Sequence, residues 1–437
     1  MFRKKGWFYF VFSFLAFLLL LQPNVIEAKT VDTKAESAII VDVNTGKILY
    51  AKDENEALPP ASMTKMMTEY IVLEKIEEGE IDWNTTTQIS DYAYSISANN
   101  SFSGVGLTQN KDYTVLELYE AMAINSDNAT TIALAELIAG SEGDFVKMMN
   151  AKAEEMNLSE FKFVNSTGLD NKSLDGNHPE GTKADDTNLL SARSAALLAY
   201  HLVTDYPEVL DISSIPETEF DGQTIQNWNW MLPHDATYLK QYYFEGVDGL
   251  KTGHTNLAGF TFTSTAKQKD RRLITVVMKT ASEDERFKET AKLLDYGFNQ
   301  FEVVELFKAG YKLQNEPSVP VAKGKEKTVD VALKEGISIP IGKGTEENYH
   351  VEYNLDEKAF NENGELVAPI KKGDKVGTAE LVFDDGEDFG YILDGDNKVS
   401  VDLIATQDVE KKNWFMLMLG AIGQFFTNLY HKFMDLF

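Results

Sequence analysis

The sequence predicts an α/β fold in which helices are enclosed by strands from both ends of one large domain. Residues 38–51 indicate a β-hairpin, because two apolar, alternating segments flank the turn Asn44–Gly46. Residues 259–265 and 273–278 alternate in the same way around a charged turn. Since the segments between these strands carry helix signals, we expect an antiparallel sheet flanked by helices, with a helical subdomain.

The helix signals follow one another along the chain. Pro59–Pro60 enforces extended backbone, after which a helix should cover 62–78 and end at Gly79. Thr114–Glu117 is a capping box that opens a helix running to about Ile124. Further helices are expected at 129–139, 189–203 and 286–299, and a long polar loop at 166–188.

Composition divides the chain into four parts. Residues 1–28 have a basic start, an apolar core and Ala28 at a cleavage position, as in a secretory signal peptide. The large domain then occupies 29–302. Residues 303–408 begin with a segment rich in Lys, Pro, Gly and Glu and continue as short alternating strands, which predicts a small β domain. An uncleaved N-terminal anchor is the alternative, for which the apolar core is short.

Residues 409–437 predict an amphipathic helix with an aromatic and aliphatic face. Its polar face is too continuous for a membrane-spanning helix, whereas a helix in the membrane interface fits, with Lys411 and Lys412 near the headgroups. We therefore expect an exported protein that is attached peripherally to the outer face of the cytoplasmic membrane. The alternative is a helix that docks on its own protein.

Composition also excludes several function classes. The 437 residues contain no cysteine, so a thiol nucleophile and a cysteine metal site are excluded. The six histidines form no His-x-x-x-His pair, which argues against a zinc peptidase, and no metal or other cofactor is expected. The net charge of −28 argues against a nucleic-acid partner.

Three short peptides together supply the groups that acyl transfer through a serine ester needs. They are Ser62–Lys65 (S-x-x-K), Ser126–Asn128 (S-D-N) and Lys251–Gly253 (K-T-G). Ser62 and Lys65 are three residues apart at a helix start, so they should share one face. The amine of Lys65 can serve as the base if burial, or a second cation such as Lys251, lowers its pKa.

The second peptide lies in the break between two predicted helices, which would project its side chains into a cleft. Ser126 can relay a proton to the departing amine, and Asn128 can hydrogen-bond a peptide amide. Asp127 is expected to be structural.

The third peptide begins a strand beside the predicted cleft. Lys251 and Thr252 offer a charge and a hydroxyl to a substrate carboxylate, and Gly253 allows substrate backbone to approach. The backbone N–H of His254, with that of Ser62, can form an oxyanion hole. For the His254 side chain we expect a structural role.

Other copies of these motifs occur in the chain. Ser159–Lys162 and Ser264–Lys267 also read S-x-x-K, and Ser97–Asn99 reads S-x-N. Neither serine–lysine copy stands at a helix start. Residues three apart on a strand point to opposite faces, so Ser264 and Lys267 should not meet.

The motifs and their flanking residues resemble the penicilloyl-serine transferases, and among these the low-molecular-mass penicillin-binding proteins that are serine-type D-alanyl-D-alanine carboxypeptidases. Pro60–Thr68, Phe163–Leu169 and Val247–Thr255 are similar to segments of that family. The resemblance covers about 35–300. It implies a β-lactamase/transpeptidase-like sandwich followed by a small all-β domain and an amphipathic C-terminal anchor.

The resemblance also implies the chemistry. Ser62 would attack the carbonyl of the penultimate D-alanine of a peptidoglycan stem pentapeptide, the terminal D-alanine would leave, and water would hydrolyse the acyl-enzyme. β-Lactams would acylate the same serine. Arg286 becomes a candidate partner for the terminal carboxylate, with an ordinary helix ion pair as its alternative.

Two other functions remain open at this point. A DD-endopeptidase that cuts peptidoglycan cross-links would use the same chemistry. A non-catalytic penicillin-binding scaffold would keep the fold without turnover, although five intact polar site residues argue against it. A class A β-lactamase is disfavoured, because the chain has no Leu-Asn dipeptide to complete the Glu-x-x-Leu-Asn motif of those enzymes.

Overall fold

The computed structural model describes residues 31–174, 176–384, 388–393 and 399–434. They form a large mixed unit of helices around a five-stranded sheet, a β-rich unit and a C-terminal helix. The predicted signal peptide at 1–28 lies outside the described residues.

The large unit contains the strands and helices that place the candidate site. Its strands are β1 (Ser37–Asp42), β2 (Ile48–Lys52), β3 (Thr86–Thr87), β4 (Tyr113–Thr114), β5 (Phe161–Lys162), β6 (Leu189–Leu190), β7 (Glu217–Phe220), β8 (Gln223–Gln226), β9 (Val247–Thr255), β10 (Gly259–Gln268) and β11 (Arg271–Thr280). Its helices are α1 (Lys65–Glu77), α2 (Asp91–Ser97), α3 (Val115–Ile124), α4 (Asn128–Ala139), α5 (Glu142–Glu155), α6 (Ala192–Asp205), α7 (Val209–Ser213) and α8 (Glu283–Gln300). Short 3₁₀ turns occupy Ala61–Thr64 and Asn171–Leu174.

The main sheet joins the two ends of this unit, as the sequence predicts. Its strand order is β2-β1-β11-β10-β9, and each neighbouring pair is antiparallel. Strand β1, the first strand of the predicted hairpin, also pairs with β11, and Ile39 lies opposite Val276 in this pair. Strand β9, which carries the third motif, lies at the edge of the sheet.

Each face of the sheet packs against helices. Ile39 and Val41 point into a core shared with α1 and α3–α6, whereas Ile40 points to the opposite face. That second face packs on α8 through Phe287, which is 1% exposed. Full burial of a side chain of this size contributes about 2–3 kcal/mol.

Local signals account for the helix ends that the sequence predicted. Thr114 Oγ1 accepts a hydrogen bond from the Glu117 N–H at 3.2 Å, and Glu117 Oε2 accepts one from the Thr114 N–H at 2.8 Å, which confirms the capping box. Gly79 and Gly140 follow α1 and α4 with φ of +73° and +78°. Helices α2, α5 and α7 were not predicted. Helix α6 begins at Ala192 because the Ser191 side chain caps it.

The β-rich unit follows α8 without a gap. Its strands are β12 (Phe301–Phe307), β13 (Ser318–Ala322), β14 (Thr328–Leu333), β15 (Ile337–Gly342), β16 (Tyr349–Leu355), β17 (Leu366–Val367), β18 (Lys375–Phe383) and β19 (Ser400–Ala405). Six of them form a sheet in the order β16-β18-β19-β14-β13-β17, while β12 pairs with β15. The domain boundary predicted after residue 302 falls inside β12. That the residues on its two sides fold as separate domains stays a prediction.

A segment of the β-rich unit, residues 388–393, packs on the hairpin β1–β2. The Ile48 N–H donates to the Gly390 carbonyl at 3.0 Å, and the Ile392 N–H donates to the Gly46 carbonyl at 2.8 Å. Ile392 is 2% exposed within the core of the large unit. These contacts hold the β-rich unit against the side of the sheet that is remote from the edge strand β9.

The C-terminal helix α9 (Trp414–Met434) exposes large apolar side chains. Trp414 is 75% exposed, and Phe425 and Phe426 are more than 60% exposed. Within the described residues, no helix has the length and apolarity needed to cross a bilayer. The predicted position of α9 in the membrane interface stays a prediction.

Candidate active site

Ser62 lies in the 3₁₀ turn that leads into α1, so the α-helix begins at Lys65 rather than at the predicted residue 62. Ala61, just before it, has a left-handed backbone with φ of +49°. A non-glycine residue in this region stores strain of about 1–3 kcal/mol, which is common at functional sites. The turn leaves Ser62 half-buried and brings its Oγ within 3.1 Å of Lys65 Nζ.

Lys65 Nζ has three neighbours whose chemistry fixes its orientation. Besides Ser62 Oγ, it lies 2.8 Å from Asn128 Oδ1 and 2.8 Å from the Thr167 carbonyl oxygen. Both of these oxygens can only accept hydrogen bonds. A neutral amine therefore donates its two N–H groups to them, and its lone pair is left facing the Ser62 hydroxyl, as a general base requires.

The surroundings also favour the neutral amine. Lys65 is fully buried, and this burial, followed by the charge of Lys251, holds the pKa of its amine well below the usual value. The carboxylates of Asp127, Glu69 and Glu142 oppose the shift. Lys251 is thus the second cation that the sequence analysis expected to act on Lys65.

The second motif joins α3 to α4. Ser126 has φ of +62°, and its buried Oγ has no hydrogen-bond partner within the described part of the chain. Asp127 caps α4 by accepting from the Thr130 N–H at 2.6 Å and also accepts from the Val105 N–H at 2.6 Å, which confirms its structural role. Asn128 uses its carbonyl for Lys65, and its Nδ2 donates to the Ser103 carbonyl at 3.0 Å.

The third motif runs along the edge strand β9 beside Ser62. A Cβ on Gly253 would come within 2.7 Å of the Pro60 carbonyl oxygen and 3.0 Å of the Ser62 nitrogen, so glycine permits this close approach. Thr252 and His254 line the cleft. The imidazole of His254 stacks on Phe260 at 4.0 Å between ring centroids, in keeping with a structural side chain.

Lys251 is 2% exposed, so its side chain is buried beside the cleft that its neighbour Thr252 lines. Its contact with a substrate carboxylate stays a prediction. Burial lowers the pKa of its amine, the nearby Arg286 lowers it further, and Glu69 opposes the shift. Its position supports an electrostatic effect on Lys65 and a cationic background for the cleft.

Arg286 is the cation that does line the cleft. It is 2% exposed, donates to the Gly253 carbonyl at 3.2 Å and pairs with Glu283 at 3.2 Å. Its buried Nε has no hydrogen-bond partner in the described residues. Burial lowers the pKa of the guanidinium to about 10, so it stays charged at neutral pH.

These groups surround one cleft of about 280 Å³. Its walls are formed by Ser62, Ser101, Phe102, Ser103, Ser126, Asn128, Leu169, Trp228, Thr252, Gly253, His254, Phe260, Glu283 and Arg286. All of the predicted site residues either line this cleft or, like Lys65 and Lys251, are buried beside it. No sequence pattern indicated that Trp228 and the segment Ser101–Ser103 would line the cleft.

The competing motif copies do not form a second site. Ser264 is buried on β10 while Lys267 is exposed at its end, as strand geometry predicts. Lys162 is exposed and pairs with Asp186 at 2.7 Å. Ser97 ends α2, and its Oγ accepts a hydrogen bond from the Leu107 N–H at 2.7 Å.

Sequence reasoning missed the Thr167 carbonyl as a partner of Lys65. The segment Phe163–Leu169 was noted only for its family resemblance, and a backbone carbonyl carries no residue-type signal. Glu69 was also missed, although it follows Lys65 by one helical turn. It is 2% exposed, and burial raises the pKa of its carboxyl while Lys251 and Lys65 oppose the shift.

Gly168 fixes the distance between the Thr167 carbonyl and the nucleophile turn. Its φ is +87°, and a Cβ there would lie 1.9 Å from the Ala61 carbonyl oxygen. We expect Gly168→Ala to push the loop away and lower the rate of Ser62 acylation by about 100-fold, since a displacement of about 1 Å near the chemistry has that effect. Stopped-flow or gel-based labelling with a fluorescent penicillin measures the rate.

Gly181→Ala is the matched control for this variant. Gly181 has the same φ of +87° but nothing within 4 Å of its added Cβ. Both variants suffer the backbone strain, about 1–2 kcal/mol, and only Gly168→Ala adds the clash. Equal acylation rates in the two variants would contradict the assigned role of the close approach.

Comparison with known proteins agrees with this fold. Residues 24–282 match the family described as D-alanyl-D-alanine carboxypeptidase, and residues 301–411 match the family described as penicillin-binding protein 5, C-terminal domain. D-alanyl-D-alanine carboxypeptidase DacF of Bacillus subtilis is 31% identical over 89% of this chain and 90% of its own length. DacC of Escherichia coli is 30% identical over 95% of this chain and 94% of its own.

Solved structures agree in the same way. A peptidoglycan synthesis regulatory factor (PBP3) from Streptococcus pneumoniae superposes with a TM-score of 0.67 at 36% identity and covers 86% of this chain and 100% of its own. Penicillin-binding protein D2 from Listeria monocytogenes, in its cefotaxime-bound form, has a TM-score of 0.53 at 28% identity over 62% of this chain and 99% of its own.

The sheet, the β-rich C-terminal unit and the serine–lysine pair define a serine peptidase of the low-molecular-mass penicillin-binding protein class. The chain belongs to the D-alanyl-D-alanine carboxypeptidase family. The predicted fold class and the family resemblance stated from the sequence are both confirmed.

Proposed function

We propose that this protein removes the terminal D-alanine from peptidoglycan stem pentapeptides through an acyl-enzyme on Ser62. One observation carries the proposal above all others. The two N–H groups of a neutral Lys65 are taken by pure acceptors, so its lone pair faces the Ser62 hydroxyl at 3.1 Å. A weakly acidic hydroxyl needs such a base before it can attack a carbonyl.

Acylation then needs a path for one proton. Lys65 takes the proton as Ser62 Oγ bonds to the carbonyl carbon of the penultimate D-alanine. The C–N bond to the terminal D-alanine breaks, and its nitrogen leaves as an amine after receiving a proton through Ser126, whose Oγ has no other partner among the described residues. The N–H groups of Ser62 and His254 are the proposed donors to the oxyanion.

Substrate orientation comes from the rest of the cleft. The edge strand β9 can accept an extended peptide beside it, and Gly253 leaves room for that backbone. Thr252 and Arg286 are placed to bind the terminal carboxylate. Lys251, buried beside the cleft, contributes its charge.

Release of free D-alanine tests the proposal directly. Protein in detergent is mixed with a peptide ending in Lys-D-Ala-D-Ala, and free D-alanine is followed with Ser62→Ala as the control. We expect release that disappears in the variant. Covalent penicillin labelling at Ser62 without D-alanine release would instead support the endopeptidase alternative, and the absence of both would support a scaffold.

β-Lactams should react at the same serine. The Listeria relative has been solved with cefotaxime bound. A β-lactam presents a strained amide and a carboxylate, and Ser62 with Arg286 and Thr252 offers a nucleophile and a carboxylate site. We therefore include β-lactams among the proposed covalent inhibitors of this protein.

We further propose that the protein is exported and held at the outer face of the cytoplasmic membrane by α9. Support comes from the apolar side chains that this helix exposes, among them Trp414 and Phe425. Deletion of 411–437 should release active protein into the soluble fraction, because the exposed apolar surface is removed. A membrane flotation assay measures the fraction of protein bound to membranes. Truncated protein that still floats with the membranes would contradict the proposal.

A further inference from the structure

One buried carboxylate lies outside the cleft and, apart from its electrostatic effect on Lys65, has no role in the chemistry above. Glu142 is the first residue of α5 and is 4% exposed. A carboxylate this deeply buried is costly unless hydrogen bonds replace its water. Its Oε1 accepts from the Ser166 N–H at 2.9 Å and from the Ser166 Oγ–H at 2.6 Å, and its Oε2 accepts from the Tyr92 Oη–H at 3.0 Å.

The partner segment leads directly to the base. Ser166 precedes Thr167, whose carbonyl accepts a hydrogen bond from Lys65 Nζ at 2.8 Å. The Ser166 carbonyl accepts from the Thr68 Oγ1–H of α1 at 3.2 Å. Leu169, two residues after Thr167, lines the cleft. The backbone from Ser166 to Leu169 is therefore held between Glu142 on one side and the Lys65 helix on the other.

The same carboxylate also contacts the helix that precedes the opposite rim of the cleft. Tyr92 belongs to α2, and the loop after that helix carries the Ser103 carbonyl, which accepts from Asn128 Nδ2 at 3.0 Å. The other polar side chains that hold the loop, Asn165 and Asn188, are neutral. No ion pair to Glu142 occurs among the described residues. Burial raises the pKa of its carboxyl, while the hydrogen bonds from Ser166 and Tyr92 and the charge of Lys65 oppose the shift.

We propose that Glu142 is a positioning residue: it fixes the Thr167 carbonyl, which orients the Lys65 amine toward Ser62 and so sets the rate of acylation. The proposal rests on the function proposed above. Loss of this support lets the Thr167 carbonyl move, and an N–H of Lys65 that loses its acceptor allows the lone pair to turn away from Ser62.

The test is the acylation of the full-length protein in detergent by a fluorescent penicillin, resolved into the dissociation constant of the first complex and the acylation rate constant. Glu142→Ala should lower the rate constant by about 10–100-fold and leave the dissociation constant within about 3-fold. Glu142→Gln should keep most of the rate, because its amide oxygen still accepts from Ser166 and its amide N–H can donate to Tyr92 Oη. Glu154→Ala, on an exposed position of the same helix, is the control and should match wild type.

A folded Glu142→Ala protein that acylates at the wild-type rate would overturn the proposal. So would a loss confined to the dissociation constant, or an equal loss in Glu142→Gln. If Glu142→Ala does not fold by circular dichroism, Ser166→Ala carries the test, since it deletes one hydrogen bond to Glu142 and should lower the rate constant by about 3–10-fold. Failure of the wild-type protein to label at Ser62 would contradict the proposed function itself and is recognised before any variant is compared.

Discussion

Lys65→Ala is expected to abolish acylation of Ser62 by penicillin, with a fall in rate of at least about 1,000-fold, because general base catalysis contributes about 10²–10⁴-fold. The variant removes the amine that lies 3.1 Å from Ser62 Oγ. In wild type the rate should rise with pH through the lowered pKa of Lys65 and then level off, since only the neutral amine accepts the proton. Labelling with fluorescent penicillin across pH measures both effects.

Lys162→Ala is the control for this prediction, because Lys162 belongs to a competing S-x-x-K copy and is exposed. It should label like the wild type. A normal labelling rate in Lys65→Ala would remove this residue as the base. A wild-type rate that falls as the pH rises would contradict the assigned role of the neutral amine.

Arg286→Gln should lower kcat/KM for a peptide ending in a free carboxylate by about 10–100-fold, because a hydrogen bond to a charged group contributes about 1.5–3 kcal/mol. The unpartnered Nε and the position on the cleft wall support this carboxylate contact. The same peptide with a C-terminal amide should react slowly with wild type, and the variant should cause little further loss. D-Alanine or D-alaninamide release measures both substrates.

The amide peptide separates two roles of Arg286. Its bond to the Gly253 carbonyl also supports β9, so an equal loss on both peptides would show that only this support matters. Lys288→Gln, an exposed substitution on the same helix, should leave both substrates unaffected. These comparisons decide between carboxylate binding and the ordinary helix contact that the sequence left open.

Much of the candidate site could be predicted from residue type and spacing. The first two motifs predicted Ser62, Lys65, Ser126 and Asn128 as site residues. Ser62 and Asn128 contact the Lys65 amine, and Ser126 lines the same cleft as both of them. Local patterns also placed the capping box and the hairpin, because such features depend on neighbouring residues alone. The first turn at Ser62 departs from a regular helix, since the left-handed Ala61 precedes it.

The roles of the cations needed the tertiary structure. The sequence predicted that Lys251 contacts the substrate carboxylate, which stays a prediction. The structure shows that Lys251 is buried and that Arg286, from α8, lines the cleft. A strand's residue types do not reveal which face the helices will cover. The depth of each charge, and thus its pKa, follows only from that packing.

By itself the sequence predicted the reaction class, the fold class and the candidate nucleophile and base, since these depend on residue chemistry and short-range spacing. Only the tertiary structure decided which backbone carbonyl orients Lys65 and which buried carboxylate supports it. Thr167 and Glu142 lie 102 and 77 residues from Lys65 in the chain. Contacts over such separations arise from packing the sheet, the helices and the loop together, and no local pattern encodes them.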